Sequence, residues 1–284
     1  MDKKEITELK KTAVKLRIGA IEAVYSAASG HPGGSLSCAD ILTTLYFERM
    51  RVDPNKPRDP ARDRFVLSKG HCSPALYSAL SLKGFFPRDD LKLFRSISAH
   101  YSGHPDMRYV PGVDMSTGSL GQGISTAVGM AMAGKMRAED YRVYSVMGDG
   151  EQEEGQVWEA AMSAAKYKLD NLCVFVDCNG LQIDGRVSDV MPIEPLNRKY
   201  EAFGWNVIEI NGHDFEEIIA ALDAAERCKG KPSVILARTV KGKGVSFMED
   251  NAGWHGKAPN DEQYRAAIRE LEDGLARILT EEEA

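Results

Sequence analysis

The 284-residue sequence predicts an α/β fold: a mostly parallel sheet flanked by helices on both faces, in a single domain over 1–284. Three observations predict it. Strand-like and helix-like segments alternate from residue 63 to 238, the order of a parallel sheet built from crossover units. The stretch NLCVFVD at 171–177 is an apolar run between polar ends, as expected of a strand covered on both faces. Polar, glycine-rich breaks follow Leu67, Met147 and Val176, and sheets of this kind bind ligands at the carboxyl ends of their strands.

The elements follow in order. Leu9, Ala13, Leu16, Ala20 and Val24 recur at helical spacing and predict a helix over 5–28. SGHPGGSLS at 29–37 is dense in Gly and Pro and reads as a loop. A helical pattern resumes over 38–49, with Ser37 as its N-cap. VDPNKPRDPARD is a polar connection, RFVLS a strand that runs into a second histidine loop, and 74–84 a helix. From Ser98 to Gly123 the pattern is irregular, and loops of that length in a compact domain are functional or mobile. Helix returns at 121–138, where Ala, Gly and Met suit close packing against another helix, including one from a symmetry mate. YRVYSVM, NLCVFVD, WNVIEI and SVILAR read as strands, with helices at 155–167 and 214–228, the second capped by Asp214. From about Asp261 the tail is a charged amphipathic helix.

Composition excludes several classes. The chain is 43% hydrophobic and 27% charged, within the range of soluble globular domains. Its net charge of −6 is opposite to that of a non-specific nucleic-acid binder. The charged start MDKKEITELKKTA lacks an apolar signal core, and no run approaches the ~18–20 apolar residues of a membrane span. The cysteines, five in number and without a CxxC pair, read as free thiols of a cytoplasmic protein.

The histidines carry more information. Five of the six adjoin a glycine: His31, His71, His104, His213 and His255. Glycine beside histidine lets backbone approach a ligand while the imidazole reaches it. His213, next to a helix cap, and His100 read as structural. Zinc-site spacing is absent, as are a Walker A loop and the dinucleotide fingerprint. Cys72 beside His71 is a poor nucleophile pair, because adjacent loop residues seldom face each other.

Asp149 lies between two glycines at a strand end, and Asn179 follows the next strand 30 residues later. In a βαβ unit of ordinary size the two emerge side by side. A carboxylate and an amide oxygen, with a backbone carbonyl just beyond Asn179, suit Mg²⁺. Gly150 and the helix start beyond it suit phosphate. These residues imply a Mg²⁺–diphosphate site.

GDG…DCN resembles the motif by which thiamine diphosphate enzymes hold their metal. SGHPGGSLS, LSKGHCSPALY, GHPD, TGSLGQGIS and GDGEQEEGQVWEA, in that order, resemble transketolase across nearly the whole chain. The resemblance ends where the first domain of a full transketolase ends, so the chain resembles the N-terminal subunit of a split transketolase. It implies thiamine diphosphate and Mg²⁺ as cofactors, with Asp149, Asn179 and the main-chain oxygen of Leu181 on the metal. Gly118, Leu120 and Gly150 would contact the cofactor, and Ile183 would pack on its pyrimidine. His71 and His255 would touch the diphosphate and line the reaction centre; His31 and His104 would bind sugar hydroxyls or move protons. Glu154 matches a carboxylate at the domain interface. A partner subunit carrying the pyrimidine-binding domain is implied, in an α2β2 assembly acting on sugar phosphates. Ser119, where many members have Pro, and the segment 241–254 depart from the family pattern. A two-chain relative acting on a sulfo- or branched sugar, or a non-catalytic paralogue that binds the cofactor, stays open.

Overall fold

A computed structural model describes residues 2–283. Helix α1 (Lys3–Ser26) opens on a capping box: Asp2 accepts from the Glu5 N–H, and Glu5 accepts from the Asp2 N–H, both at 2.8 Å. Two short helices follow, α2 (Pro32–Ser37) and α3 (Ala39–Thr44). Strand β1 (Arg64–Leu67) leads through a single 3₁₀ turn into α4 (Ser73–Lys83). After the long irregular stretch come α5 (Gln122–Met136), β2 (Val143–Gly148), α6 (Gly155–Lys166) and β3 (Leu172–Cys178). A two-stranded hairpin, β4 (Leu181–Gln182) and β5 (Gly185–Arg186), precedes α7 (Val187–Val190) and α8 (Leu196–Ala202). The chain then runs through β6 (Asn206–Asn211), α9 (Phe215–Arg227), β7 (Ser233–Arg238) and α10 (Asp261–Glu283).

The main sheet has the order β1-β2-β3-β7-β6, and every pairing is parallel. Side chains of a strand alternate between faces. Phe65, Phe175 and Ile235 face the layer of α1, α3, α4 and α9, where Leu16, Ile41, Leu76 and Ile218 meet them. Val66, Val174 and Val234 face α5, α6 and α8, represented by Ile124, Val157 and Tyr200. The predicted parallel sheet with helices on both faces is therefore present. A separate cluster joins α10 to α1 and to the 241–254 segment through Ile21, Val245, Met248, Trp254 and Leu271. Among the described residues no helix is long and apolar enough to cross a membrane.

Local readings are corrected in three places. SGHPGGSLS is not a loop throughout, because Pro32–Ser37 form buried α2. Pro32 occupies the first turn, where its missing N–H costs nothing. Gly33 and Gly34 persist in this helix because other groups press against it: a Cβ on Gly34 would lie 2.7 Å from Cys72 Sγ, and one on Gly33 2.9 Å from the Trp254 carbonyl. Second, Cys38 and not Ser37 stands at the N-cap of α3, without a side-chain cap. The Ser37 hydroxyl instead donates to Asp177 at 2.6 Å. Third, α3 ends at Thr44 and the chain continues as a π turn over Leu45–Arg49, so the predicted helix is shorter. Helix α5 packs on α6 within the chain, while Met136 on α5 and Met162 on α6 stay exposed.

Candidate active site

The carboxyl ends of β1, β2 and β3 carry Lys69–His71, Gly148–Gly150 and Cys178–Leu181 to one edge of the sheet. Gly148 pairs in register with Asp177, which sets Asp149 beside Asn179 as the spacing predicted. A cleft of about 310 Å³ opens there. Every site residue singled out from the sequence lines it except His104.

Asp149 is buried in a cradle of backbone. Its carboxylate accepts from the Gly150 N–H at 2.8 Å and from the Gly180 N–H at 2.5 Å. Gly180 has φ +77°, the left-handed conformation glycine tolerates. Burial and the nearby Asp177 carboxylate push Asp149 up to about 6, against the pull of the two N–H groups. Asn179 donates from Nδ2 to Asp177 at 3.0 Å, and its Oδ1 accepts from the Leu181 N–H at 3.2 Å. Asp177 thereby orients the amide oxygen away from itself and toward the Leu181 turn.

Sequence reasoning missed the groups that neutralise this edge. Asp177 has no exposed surface and also accepts from Lys69 Nζ at 2.5 Å, from Ser37 and from Thr239. Burial pushes the Asp177 carboxyl up, but Lys69 and these donors hold it below its ordinary value. Lys241, also buried, donates to the Leu181 carbonyl at 3.0 Å. Burial and the neighbouring Lys69 lower its pKa. Both lysines directly precede a glycine, in SKG and VKG. Six other lysines also adjoin a glycine, so nothing local singles these two out.

Three imidazoles form one wall. The His71 and His255 rings stack at 5.1 Å, and His31 meets both edge-on at 5.1 and 5.5 Å. Burial, and next the His71 ring, push His31 down to about 4; burial and Lys241 push His255 down to about 3. Nδ1 of His31 and of His255 is buried without a hydrogen-bond partner. His104 is exposed at the cleft's mouth, its ring against Gly118, where a Cβ would lie 3.2 Å from His104 Cδ2. Burial of its ring, then His71 and Arg95, lower it too. Arg95, whose guanidinium donates to Ser29 Oγ at 2.6 Å, also acts on His31.

Glu154 starts α6 and is exposed at the cleft's rim. The buried carboxylate nearby is Glu151, which accepts from Ser68 Oγ at 2.5 Å and from the N–H groups of Gly121 and Gly148 at 2.9 and 3.0 Å. Glu151 ties three loops together, a role its acidic neighbours concealed in the sequence. His213 bonds Asp40 and the backbone, and exposed His100 stacks on Tyr109, both outside the cleft.

The lowered histidines make stability depend on pH. Unfolded histidine takes up its proton near pH 6.5, whereas folded His255 does so near 3. As pH falls below 6.5 the unfolded chain gains protons the folded one refuses, so stability falls. His255→Asn removes one such group. Urea unfolding midpoints between about pH 6.5 and 4.5 should fall less steeply in this variant than in the parent chain. Parallel profiles would mean that burial does not hold His255 neutral.

A buried carboxylate, an oriented amide oxygen, two buried ammonium groups and three clustered imidazoles make a site for an anion accompanied by a cation. The family model "Transketolase, thiamine diphosphate binding domain" matches residues 9–272. The chain belongs to the transketolase family. It is 46% identical over 277 residues to one subunit of the apulose-4-phosphate transketolase of Phocaeicola vulgatus, covering 98% of each chain. It is 48% identical over 265 residues to the SqwG subunit of the 6-deoxy-6-sulfo-D-fructose transketolase of Clostridium sp., covering 93% of this chain and 96% of that one. Human transketolase is 42% identical over 95% of this chain, which spans 43% of the human protein. Among solved structures, Campylobacter jejuni transketolase superposes with a TM-score of 0.89 at 35% identity, covering 98% of this chain and 46% of that one. This chain is thus a transketolase N-terminal region, under half the length of the single-chain enzymes and matching the subunit relatives over nearly their whole length.

Proposed function

We propose that this chain is the N-terminal subunit of a thiamine diphosphate- and Mg²⁺-dependent transketolase. Assembled with a pyrimidine-binding subunit, it transfers a two-carbon ketol unit from a ketose phosphate to an aldose phosphate. The observation that carries this reading is the convergence of Asp149, Asn179 and the Leu181 carbonyl with His31, His71 and His255 in one cleft.

The residues fit the cofactor. The unpartnered Nδ1 atoms of His31 and His255 await polar ligand atoms. Asp149, Asn179 and Leu181 offer hard oxygen donors for Mg²⁺. Lys69, Lys241 and His71 supply positive charge and donors for a diphosphate, with Gly118, Leu120 and Gly150 as close backbone. Lys241 donates to the Leu181 carbonyl, whose second lone pair would remain for a metal ion. Exposed Ile183 offers an apolar surface for a ring. Thiamine diphosphate, when bound, supplies the electron sink for carbon–carbon cleavage beside a carbonyl. His31 and His104, held neutral near pH 7, bind sugar hydroxyls or assist proton transfer, while His255 lines the reaction centre with His71.

Exposed Ile183 lines the cleft, an apolar surface that supports a partner chain closing over it; the assembly we propose is an α2β2 complex of the cytoplasm. Glu154 then meets that partner at the rim. The names of the two subunit relatives favour a second form of the same reading, in which the donor is an apulose phosphate or a sulfo-sugar.

The test is to tag the chain, express it with its genomic neighbours, and assay ketol transfer with thiamine diphosphate and Mg²⁺ across ordinary, branched and sulfonated sugars. The purified single chain is expected to turn over nothing, and the complex to be active. Activity from the highly purified single chain would sink the two-subunit reading. A co-purifying partner that binds cofactor but transfers no ketol unit from any of these sugars would favour a non-catalytic paralogue.

A further inference from the structure

His213 lies outside the cleft, yet it is bonded through both ring nitrogens. Nε2 accepts from the Val240 N–H at 2.9 Å, and Nδ1 lies 2.7 Å from Asp40 Oδ2. A nitrogen that accepts from an N–H carries no proton, so the ring proton sits on Nδ1 and is donated to Asp40. Asp40 is itself fixed by a buried bidentate pair with Arg17, at 2.9 and 2.6 Å, and Arg17 Nε donates to the Leu36 carbonyl at 3.3 Å. The imidazole is therefore locked in one tautomer and one orientation by groups from α1 and α3.

Its acceptor end serves the strand-end loop that carries Lys241. That loop is pinned residue by residue: Thr239 N to the Cys178 carbonyl at 3.2 Å, Val240 N to His213, and Gly242 N to the Gly33 carbonyl at 3.0 Å. Lys241 stands between the last two bonds and reaches the Leu181 carbonyl in the cleft. We propose that His213 is a positioning residue: its neutral imidazole holds the Val240 N–H and thereby aims Lys241 at the diphosphate and metal end of the cofactor site. This rests on the cofactor reading above. The arrangement parallels the way outer groups orient the ligands of a metal, where losing one costs about 10–100-fold in affinity.

Two substitutions separate the two ends of the ring. In His213→Asn the amide can still donate to Asp40 but is too short to accept from Val240. In His213→Gln the side-chain oxygen reaches the position of Nε2 and restores the acceptor. Thiamine diphosphate is titrated into the full chain at fixed Mg²⁺, following tryptophan fluorescence, with unfolding midpoints as the control for folding. His213→Asn should weaken binding about 10–100-fold, His213→Gln should stay near the parent, and His213→Asn should add nothing in a Lys241→Met background. Equal binding by His213→Asn and parent, or an undiminished effect in the Lys241→Met background, overturns the proposal. A parent chain that binds no cofactor alone would mean that the partner subunit completes the site, and the same titration is then made on the co-purified complex, where a parent complex that binds none would count against the function proposed above. Nitrogen NMR of the parent's imidazole then decides the role of His213 without cofactor, or where His213→Asn does not fold. A protonated Nδ1 with a bare Nε2 supports it, and a protonated Nε2 overturns it.

Discussion

Asp149→Ala should abolish detectable cofactor binding and ketol transfer while leaving the chain folded. In the proposed cation site the carboxylate is the charged oxygen donor, and two backbone N–H groups offset its burial beside Asp177. Removing it takes away the one charged oxygen among the proposed Mg²⁺ donors, and the expected loss is at least about 10³-fold in affinity, about 4 kcal/mol at 1.4 kcal/mol per tenfold. Stability should hold or rise, because a carboxyl held up near pH 6 is ionised at pH 7 against the cost of burial. The check is a calorimetric titration of thiamine diphosphate with Mg²⁺, beside a urea unfolding curve. Binding within tenfold of the parent would remove Asp149 from the metal site. A collapse of stability would make its role structural.

Asp177→Ala should do the reverse and strike the fold itself. Asp177 and Lys69 form an ion pair at 2.5 Å with 0% and 2% of their side chains exposed. Breaking such a pair leaves an uncompensated buried ammonium and costs about 3–5 kcal/mol, a large part of the ~5–15 kcal/mol that holds a domain together. Ser37, Thr239 and Asn179 lose an acceptor in the same stroke. Replacing both partners, Lys69→Met with Asp177→Leu, should recover much of that stability, since a well-packed apolar pair often matches a buried ionic one. The double variant should still fail to bind cofactor, because Asn179 is no longer oriented and one ammonium is gone. Urea unfolding of the parent and both variants decides the matter. A loss below about 1 kcal/mol in Asp177→Ala would mean that water reaches the pair.

These two residues show what can be read along a chain and what cannot. Asp149 is visible in the sequence because its setting is local: an apolar run, then Gly-Asp-Gly, then a helix. Asn179 is visible because the length of a βαβ unit converts a separation of 30 residues into a shared edge. Asp177 sits two residues before Asn179 and gave no signal. Its partners Lys69, Ser37 and Thr239 come from three other strand-end or helix segments, and nothing local announces their meeting. Glu151 was hidden in a different way. It stands in a cluster of acidic residues that look alike in the sequence, and only burial separates it from exposed Glu154.

The same boundary runs through the fold. Periodicity and glycine punctuation by themselves determined the parallel sheet, its helical layers, the strand ends that carry the site, and the histidine and Asp–Asn motif that resembles transketolase. Those signals belong to segments of a few to two dozen residues, over which backbone geometry dictates where side chains point. Tertiary structure alone decided that Pro32–Ser37 would be a helix despite two glycines, because Cys72 and Trp254 press against it. It alone decided that Ser37 would bond a carboxylate and not cap a helix, and that Lys69 and Lys241 would enter the cleft. Each of those outcomes is set by groups far apart in the chain: close packing fixes what a backbone can become, and a buried charge must find its counter-charge wherever the fold brings one.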